Sequence, residues 1–190
     1  MVNRAITDLV ISTKGEAAWE AVCARAGLDI RSFDNTRTYD DAITYDLVAA
    51  AAAELDLDPA TVLEAFGRHW ILFTGREGWG PLFAMAGDSL ETFVEGLDGL
   101  HARVVATMPQ CRMPSFAVER AADGALLVDY RSDRDGLAPM VLGLLNGLAE
   151  HFGESWRIEH LGWSDETGAE RFSLQPVDVA ASTPHAVGTP

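Results

Sequence analysis

The sequence predicts an α+β fold, in which a helical N-terminal lobe precedes a C-terminal lobe built on an antiparallel sheet of about four strands. Apolar residues recur at helical spacing through the first half of the chain, and alternation of apolar and polar residues begins only after Pro109. Turn signals such as Asp123-Gly124 then separate the alternating segments. A chain of 190 residues, 48% of them hydrophobic, is long enough for one domain of two lobes with a sizeable core.

Periodicity predicts three helices in the first part of the chain. Apolar residues fit two helices between Ala5 and Ala26, separated by a break at residues 12–15. A third helix runs to Ala53 from a cap at Asp40 or Asp41, because a carboxylate before the first turn accepts a backbone N–H bond there.

Capping residues mark two further helix starts. Asp58 before Pro59 opens a helix that ends at the glycine-rich segment 75–80. One apolar face of this helix is predicted to carry Val62, Leu63, Phe66, Trp70 and Phe73. The sequence Asp88-Ser-Leu-Glu91 has the form of a capping box and opens the clearest amphipathic helix, from Leu90 to Met108.

Two hairpins and one helix are predicted for the rest of the chain. Alternation over 116–130 predicts the first hairpin, and residues 156–174 predict a second one across a turn at 165–168. A helix from about Leu137 to Phe152 separates the two hairpins. Residues 178–190 lack periodicity and are predicted to form a flexible tail.

Charge and composition exclude several classes of function. The chain has 14 Lys and Arg against 29 Asp and Glu, a net charge of −15, so we expect neither nucleic acid nor an anionic membrane as a partner. No run approaches the roughly 18 apolar residues of a membrane span, and Asp8 interrupts any signal-peptide core, so we expect a cytoplasmic protein. Cys23 and Cys111 form no Cys-x-x-Cys pair, which excludes a zinc ribbon, a thioredoxin-type site and covalently attached haem.

His101 falls on the apolar face of its predicted helix, in step with Leu97 and Val104, so its imidazole is expected to point into the core. A buried imidazole needs a partner, and two interpretations stay open. In one, a backbone carbonyl satisfies it; in the other, it is a metal ligand, since neutral imidazole is the usual axial ligand of haem iron. Gly96 and Gly99 favour the interpretation of His101 as a metal ligand, because glycine in a helix allows a large flat group to come close to the backbone.

A second group of polar residues ends the first predicted hairpin. If Tyr130, Ser132 and Arg134 lie in one extended segment, two hydroxyls and a guanidinium form a single row of donors. Such a row suits carboxylates, including the two propionates of haem. The alternative is a solvated strand end at which Arg134 pairs with Asp133 or Asp135.

In combination, the two groups resemble the haem nitric oxide/oxygen binding domains, called H-NOX, which are related to the sensor domain of soluble guanylate cyclase. In that family a histidine lies on a long helix, a proline follows thirteen residues later, and a Tyr-x-Ser-x-Arg motif comes after it. In this chain the five positions are filled by His101, Pro114, Tyr130, Ser132 and Arg134. The resemblance covers about residues 2–177 and includes the strings at 62–70 and 97–101.

The resemblance implies a non-covalent haem b between two lobes, with His101 as the proximal iron ligand on a helix that packs on the sheet. Tyr130, Ser132 and Arg134 would bind the propionates, and Pro114 would press on the porphyrin and distort it. Residues 1–177 would form a single domain, with a distal lobe at about 1–60, a proximal lobe at 61–177 and the tail at 178–190. On the proximal side we expect haem contacts from Leu97, Leu100, Met113 and Phe116. The expected distal pocket consists of Ala5, Leu9, Trp70, Pro139, Met140 and Leu144.

The distal residues decide which gas is bound. Oxygen-binding members of the family place a tyrosine where Pro139 stands here, so the resemblance implies a sensor of NO, which also binds CO. Trp70 is an alternative donor if its indole points inward, and an oxygen sensor is the runner-up. A helical interaction module without haem is a further alternative.

The resemblance also implies signalling without catalysis. Binding of NO would release His101 and shift the lobes, and a separate bacterial effector, a histidine kinase or a diguanylate cyclase/phosphodiesterase, would respond. An enzyme alternative would use His69, His101, Asp98 and Glu95 as a metal-hydrolase cluster. The His-x-x-Glu type of spacing that defines such sites is missing, so we do not expect an enzyme.

Overall fold

The computed structural model describes residues 2–29, 32–33, 39–74, 83, 85–109 and 111–177. Its helices are α1 (Val2–Lys14), α2 (Glu16–Arg25), α3 (Asp41–Leu55), α4 (Pro59–His69), a π-helical turn (Trp70–Thr74), α5 (Leu90–Thr107) and α6 (Ala138–Phe152). Its strands are β1 (Ser115–Arg120), β2 (Leu126–Arg131), β3 (Trp156–Ser164) and β4 (Ala169–Pro176). The predicted α+β class is therefore confirmed, with helices first and the antiparallel sheet after them.

The predicted caps begin two of the N-terminal helices. The side chain of Asp40 accepts a hydrogen bond from the backbone of Ala42, and that of Asp58 accepts from Ala60 and Thr61. α1 and α2 are separate, as predicted, because Gly15 between them has φ +84°, which interrupts the helix. The helices α1 to α4 share one core, whose fully buried side chains include Ile6, Val10, Val22, Leu47 and Val62.

Two details of the helix predictions are wrong. The cap of α5 is Ser89 rather than Asp88, because the Ser89 hydroxyl accepts from the backbone of Thr92 and the Thr92 hydroxyl accepts from the backbone of Ser89. The predicted apolar face of α4 also does not extend to Phe73, which is 59% exposed. The π-helical turn at Trp70–Thr74 has more residues per turn than an α-helix, so it rotates Phe73 off the buried face.

The sheet has the strand order β1-β2-β4-β3, and every pair is antiparallel. Both predicted hairpins are confirmed: β1 pairs with β2 and β3 pairs with β4. Alternate residues such as Val128, Phe172 and Leu174 lie on one face and pack with α5 and α6 in a second core. A bulge shifts the register of edge strand β3 between His160 and Gly162.

The two cores meet where α4 crosses α6. A Cβ atom added at Gly143 of α6 would lie 1.9 Å from the backbone oxygen of Glu64, and one at Gly67 of α4 would lie 2.1 Å from the oxygen of Met140. Only glycine allows the two backbones to approach this closely. Trp70 packs against both cores, directly after α4. The close contact of α4 with α6 therefore joins the helical lobe to the sheet lobe.

No helix among the residues described is long and apolar enough to cross a membrane. Residues 75–80 and the tail at 178–190, on which predictions were made, lie outside the described part of the chain.

Candidate functional site

His101 lies in the C-terminal half of α5 and is half-buried. Its Nδ1 atom is 2.9 Å from the backbone oxygen of Pro114. A carbonyl oxygen can only accept, so Nδ1 carries the ring proton and Nε2 keeps a lone pair. No hydrogen bond joins Nε2 to any residue in the described ranges. The carbonyl partner predicted for a core histidine is present, and the nitrogen that a metal would need has no partner among the described residues.

The charge state of His101 is set by its surroundings. Burial lowers the pKa of the imidazole below its ordinary value, while the Pro114 carbonyl and the nearby Asp98 carboxylate act in the opposite direction. The lowered pKa keeps His101 neutral at pH 7. Neutral imidazole is the form that can donate an electron pair to a metal.

A second bond holds the segment that carries Pro114 against α5. The Asp98 carboxylate, one helical turn before His101, accepts a hydrogen bond of 2.8 Å from the backbone nitrogen of Phe116. The ring of Phe116 lies 5.8 Å from the imidazole of His101 and 5.3 Å from the ring of Tyr130, measured between centroids. The two groups predicted from the sequence are therefore joined through Phe116.

Tyr130, Ser132 and Arg134 come together, although not as one extended row. β2 ends at Arg131, and the backbone N–H of Arg134 donates to the Ser132 hydroxyl across 3.1 Å, which bends the chain. Tyr130 is buried, and burial raises the pKa of its hydroxyl. The Ser132 hydroxyl and the charge of Arg134 act in the opposite direction on this pKa.

Arg134 pairs with a residue that the sequence did not indicate. Its Nε lies 3.1 Å from Oδ2 of Asp41, and its Nη2 lies 3.0 Å from Oδ1 of the same carboxylate. Neither Asp133 nor Asp135, the two acids named in the alternative prediction, forms an ion pair with it. Arg112 adds a weaker contact, with Nη2 at 3.9 Å from Oδ2 of Asp41. No local pattern could have identified Asp41, which lies 93 residues from Arg134 in the sequence.

A cleft opens beside these groups. Its lining consists of Arg112, Met113, Ser132, Asp133 and Arg134. Two guanidinium groups and a hydroxyl give this cleft hydrogen-bond donors that suit an anionic ligand. The Asp133 carboxylate offsets part of their positive charge. The cleft lies at the junction of the motif with the segment leading to Pro114.

The residues expected on the proximal side lie on α5 and on the segment after it. Leu97 and Leu100 are buried in the core of the sheet lobe, while Met113 and Phe116 are half-buried. Val105, next to the buried Val104 on α5, is 37% exposed. The two glycines of α5 differ in their surroundings. A Cβ atom added at Gly96 would lie 2.5 Å from the backbone oxygen of Ala86, whereas one added at Gly99 would meet nothing within 4 Å.

The residues expected in the distal pocket are divided between the two cores. Leu9 and Met140 pack against the core of the helical lobe, and Leu144 packs against that of the sheet lobe. Pro139 is in the first turn of α6 and is half-buried. Trp70 lies between the cores, with its ring 6.0 Å from that of Phe83. The side chain of Ala5 lies outside the described part of the chain.

The described side chains do not form the metal cluster of the enzyme alternative. Among the side chains that the structure describes, no group of three or more His, Cys, Asp and Glu could hold a metal ion. His69 lies on α4, where it stacks on Phe73, and His101 lies on α5.

Comparisons of sequence agree with this arrangement. The sequence model of the Haem-NO-binding family (HNOB) matches residues 1–160. Guanylate cyclase soluble subunit beta-2 of Rattus norvegicus is 36% identical over 91 residues, which are 48% of this chain and 13% of that protein. Soluble guanylate cyclase gcy-32 of Caenorhabditis elegans is 31% identical over 152 residues, 78% of this chain and 22% of that protein. The chain therefore spans less than a quarter of the length of these relatives.

Solved structures share the fold. An H-NOX protein from S. oneidensis in the Fe(II)NO ligation state matches with a TM-score of 0.75 and 21% identity, over 91% of this chain and 94% of that one. The Fe(II) unliganded H-NOX protein from K. algicida gives a TM-score of 0.77 at 20% identity, over 93% of this chain and 95% of that one. At these low sequence identities, the two matches show that the fold is shared and carry no statement about function.

Proposed function

Because the chain belongs to the Haem-NO-binding family, whose H-NOX domains are haem-based gas sensors, we propose that it binds nitric oxide, and also carbon monoxide, at a haem b held by His101. The observation that carries the proposal is the hydrogen bond of 2.9 Å between His101 Nδ1 and the Pro114 carbonyl, which leaves Nε2 free to bind iron. Ligating histidines commonly donate their second ring N–H to a carbonyl in this way, which fixes the ring and raises its basicity.

A haem needs an axial ligand for its iron and hydrogen-bond donors for its propionates, and the residues present fit both needs. Its lowered pKa favours a neutral His101, whose Nε2 has no partner in the described part of the chain and can serve as an axial ligand. Tyr130, Ser132 and Arg134 converge at the end of β2 and offer hydroxyl and guanidinium donors for the propionates. When bound, the haem would supply the iron at which the gas is taken up. Pro114, held beside His101, is proposed to press on the porphyrin.

Preference for NO over oxygen is proposed from the distal residues. Bound oxygen carries partial negative charge and needs a donor, whereas NO and CO tolerate an apolar pocket. Pro139 offers no side-chain donor where the family's oxygen binders have tyrosine, and Leu9, Met140 and Leu144 are apolar.

An oxygen sensor is the second candidate, and one observation favours it. The indole N–H of Trp70 donates to no residue in the described part of the chain, although Trp70 is half-buried between the two cores. A half-buried donor without a partner is available to a bound gas molecule.

The signal is proposed to pass through α5. His101 and Asp98 bind the segment of Pro114 and Phe116, so displacement of His101 changes the contact of α5 with β1. The close contact of α4 with α6 makes the two lobes respond together. We propose a separately encoded effector, a histidine kinase or a diguanylate cyclase/phosphodiesterase, in a bacterial cytoplasm. In this proposal residues 1–177 are one sensing domain without catalytic activity, and 178–190 are its tail.

The test is the visible spectrum of the haem-loaded protein, reduced and then exposed in turn to argon, air, CO and NO. We expect a Soret band that is unchanged in air and changed by CO and NO. His101→Gly should lose this spectrum and regain it with added imidazole. His69→Gly is the matched control, because His69 is also a half-buried helical histidine, and it should behave as the unmodified protein.

Two results would contradict the proposal. If the unmodified protein takes up no haem, the result supports the alternative of a helical interaction module without haem. A spectrum that changes stably in air, without oxidation, identifies the oxygen sensor.

A further inference from the structure

We propose that Asp41 is a positioning residue, which holds the Arg134 guanidinium in the orientation that binds a propionate and ties the helical lobe to that site. The inference rests on the proposed haem function. It starts from the two-point contact of Arg134 Nε with Oδ2, at 3.1 Å, and of Nη2 with Oδ1, at 3.0 Å. A planar guanidinium bound to a carboxylate at two points has a fixed plane as well as a fixed position.

The contact leaves half of the guanidinium free. Arginine has five N–H donors, and Asp41 engages only the edge formed by Nε and Nη2. Within the described residues no hydrogen bond engages Nη1, so the end formed by Nη1 and Nη2 remains for a second carboxylate. The Arg134 side chain is 38% exposed, so a ligand can reach it. Its backbone is held as well, by the bond from Arg134 N to the Ser132 hydroxyl. Both ends of the side chain are therefore fixed before a ligand arrives.

The acids next to Arg134 make this positioning necessary. Asp133 and Asp135 are its immediate neighbours in sequence, and Asp133 lines the cleft. A mobile guanidinium can pair with one of them, which is the alternative that the sequence left open. Because Asp41 binds Arg134 at two points from the other lobe, it competes with these neighbours for the guanidinium.

The same contact connects the lobes at a second point. Asp41 is the first residue of α3, and the Tyr45 hydroxyl, one turn further along this helix, donates to the backbone oxygen of Asp135 across 3.2 Å. The helix α3 is thereby bound both to the side chain of Arg134 and to the turn that carries it. If the propionate site shifts relative to α3, either both contacts break or α3 moves together with the site.

The test compares Asp41→Asn with Asp46→Asn in the full haem-loaded chain. Both substitutions remove one negative charge from α3, but Asp46 is exposed and forms no ion pair with the residues described. We expect Asp41→Asn to lose haem to an excess of apomyoglobin roughly 5-fold faster than the unmodified protein, whereas Asp46→Asn should match it. The resonance Raman band of propionate bending should shift only in Asp41→Asn, since a change in global stability alone does not alter the propionate hydrogen bonds.

A double-mutant cycle separates positioning from other effects. Arg134→Lys keeps the positive charge but lacks the planar group that binds a carboxylate at two points. Asp41→Asn should therefore change the rate of haem loss much less in the Arg134→Lys background than in the unmodified protein. Equal effects of Asp41→Asn in both backgrounds, or an unshifted propionate band, would overturn the inference while the Soret band of the unmodified protein still supports the haem function. Failure of the unmodified protein to take up haem would overturn both.

Discussion

The Pro114 carbonyl determines which nitrogen of His101 carries the proton, through a hydrogen bond of 2.9 Å across thirteen residues of sequence. The bond comes from the backbone, so it does not depend on the identity of residue 114. The proline ring contributes rigidity to the segment, while Asp98 fixes its far end at Phe116. The tautomer of the histidine is thus a property of the connection between α5 and β1.

The lowered pKa of His101 predicts a pH dependence of stability in the haem-free protein. Its folded pKa lies below the unfolded value near 6.5, because burial disfavours the imidazolium. The unfolded chain therefore takes up the proton first. The stability contributed by the neutral ring is present above about pH 6.5 and is lost as the pH falls through the folded pKa.

Urea unfolding from about pH 8 to about pH 5 measures this dependence. His101→Gln removes the titration, so the unmodified protein should lose more free energy of unfolding with falling pH than the variant. His69 also has a lowered pKa, owing to burial, and is retained in both proteins. Parallel pH profiles would show that His101 is not buried in solution.

Gly143→Ala should destabilise the protein by about 3 kcal/mol or more. The added Cβ would lie 1.9 Å from the backbone oxygen of Glu64, and neither helix backbone can move without separating α4 from α6. Gly99→Ala is the control, since an added Cβ there meets nothing within 4 Å. It should instead stabilise the helix by up to about 1 kcal/mol. Thermal unfolding of both variants checks the pair, and a neutral Gly143→Ala would contradict the close approach.

Asp129→Asn should cost about 2 kcal/mol at pH 7. The carboxylate of Asp129 accepts bonds of 2.7 and 3.0 Å from Arg171 on the neighbouring strand, and both side chains are largely buried. The hydrogen bonds and charge of Arg171 lower the pKa of Asp129, so its contribution is fully present above about pH 4 and is lost as the pH falls through the folded pKa. Glu159→Gln, at an exposed position on β3, should change the denaturation midpoint little. If the two variants unfold alike, the pair contributes no net stability.

Trp70→Phe should leave the response to air unchanged if the protein is an NO sensor. The substitution keeps an aromatic ring between the two cores but removes the indole N–H. The measurement is the absorption spectrum of the reduced, haem-loaded variant in air and under NO, beside Trp163→Phe, whose side chain is 62% exposed. A stable response to air that is present in the unmodified protein and lost only in Trp70→Phe would identify Trp70 as an oxygen-binding donor.

Local patterns were sufficient to predict most elements of the fold. Asp58-Pro59 predicted the start of α4, and the alternation around Val128 and Phe172 predicted the paired strands, because caps and burial of one sheet face act over a few residues. The π-helical turn at Trp70–Thr74 was missed, since its sequence also fits an α-helix.

The candidate site was predictable only where its residues lie in local motifs. Periodicity assigned His101 to the inside, Tyr130 stood in a polar motif at the end of the first predicted hairpin, and a known family pattern linked the two. The pairing of Arg134 with Asp41 was missed for a physical reason: the two residues are brought together by the packing of separate lobes, while two acids adjacent to Arg134 offered a simpler local partner. Contacts of this kind depend on the complete tertiary fold.

The bulge in β3 also affects colloidal behaviour. A regular edge strand presents a repeating ladder of unpaired backbone donors and acceptors, on which a strand of another molecule can add. The shift between His160 and Gly162 interrupts that ladder beside Leu161 and Trp163, the two large apolar side chains exposed on this edge. Together with the mutual repulsion of molecules that each carry a charge of −15, it opposes fibrillar aggregation through β3.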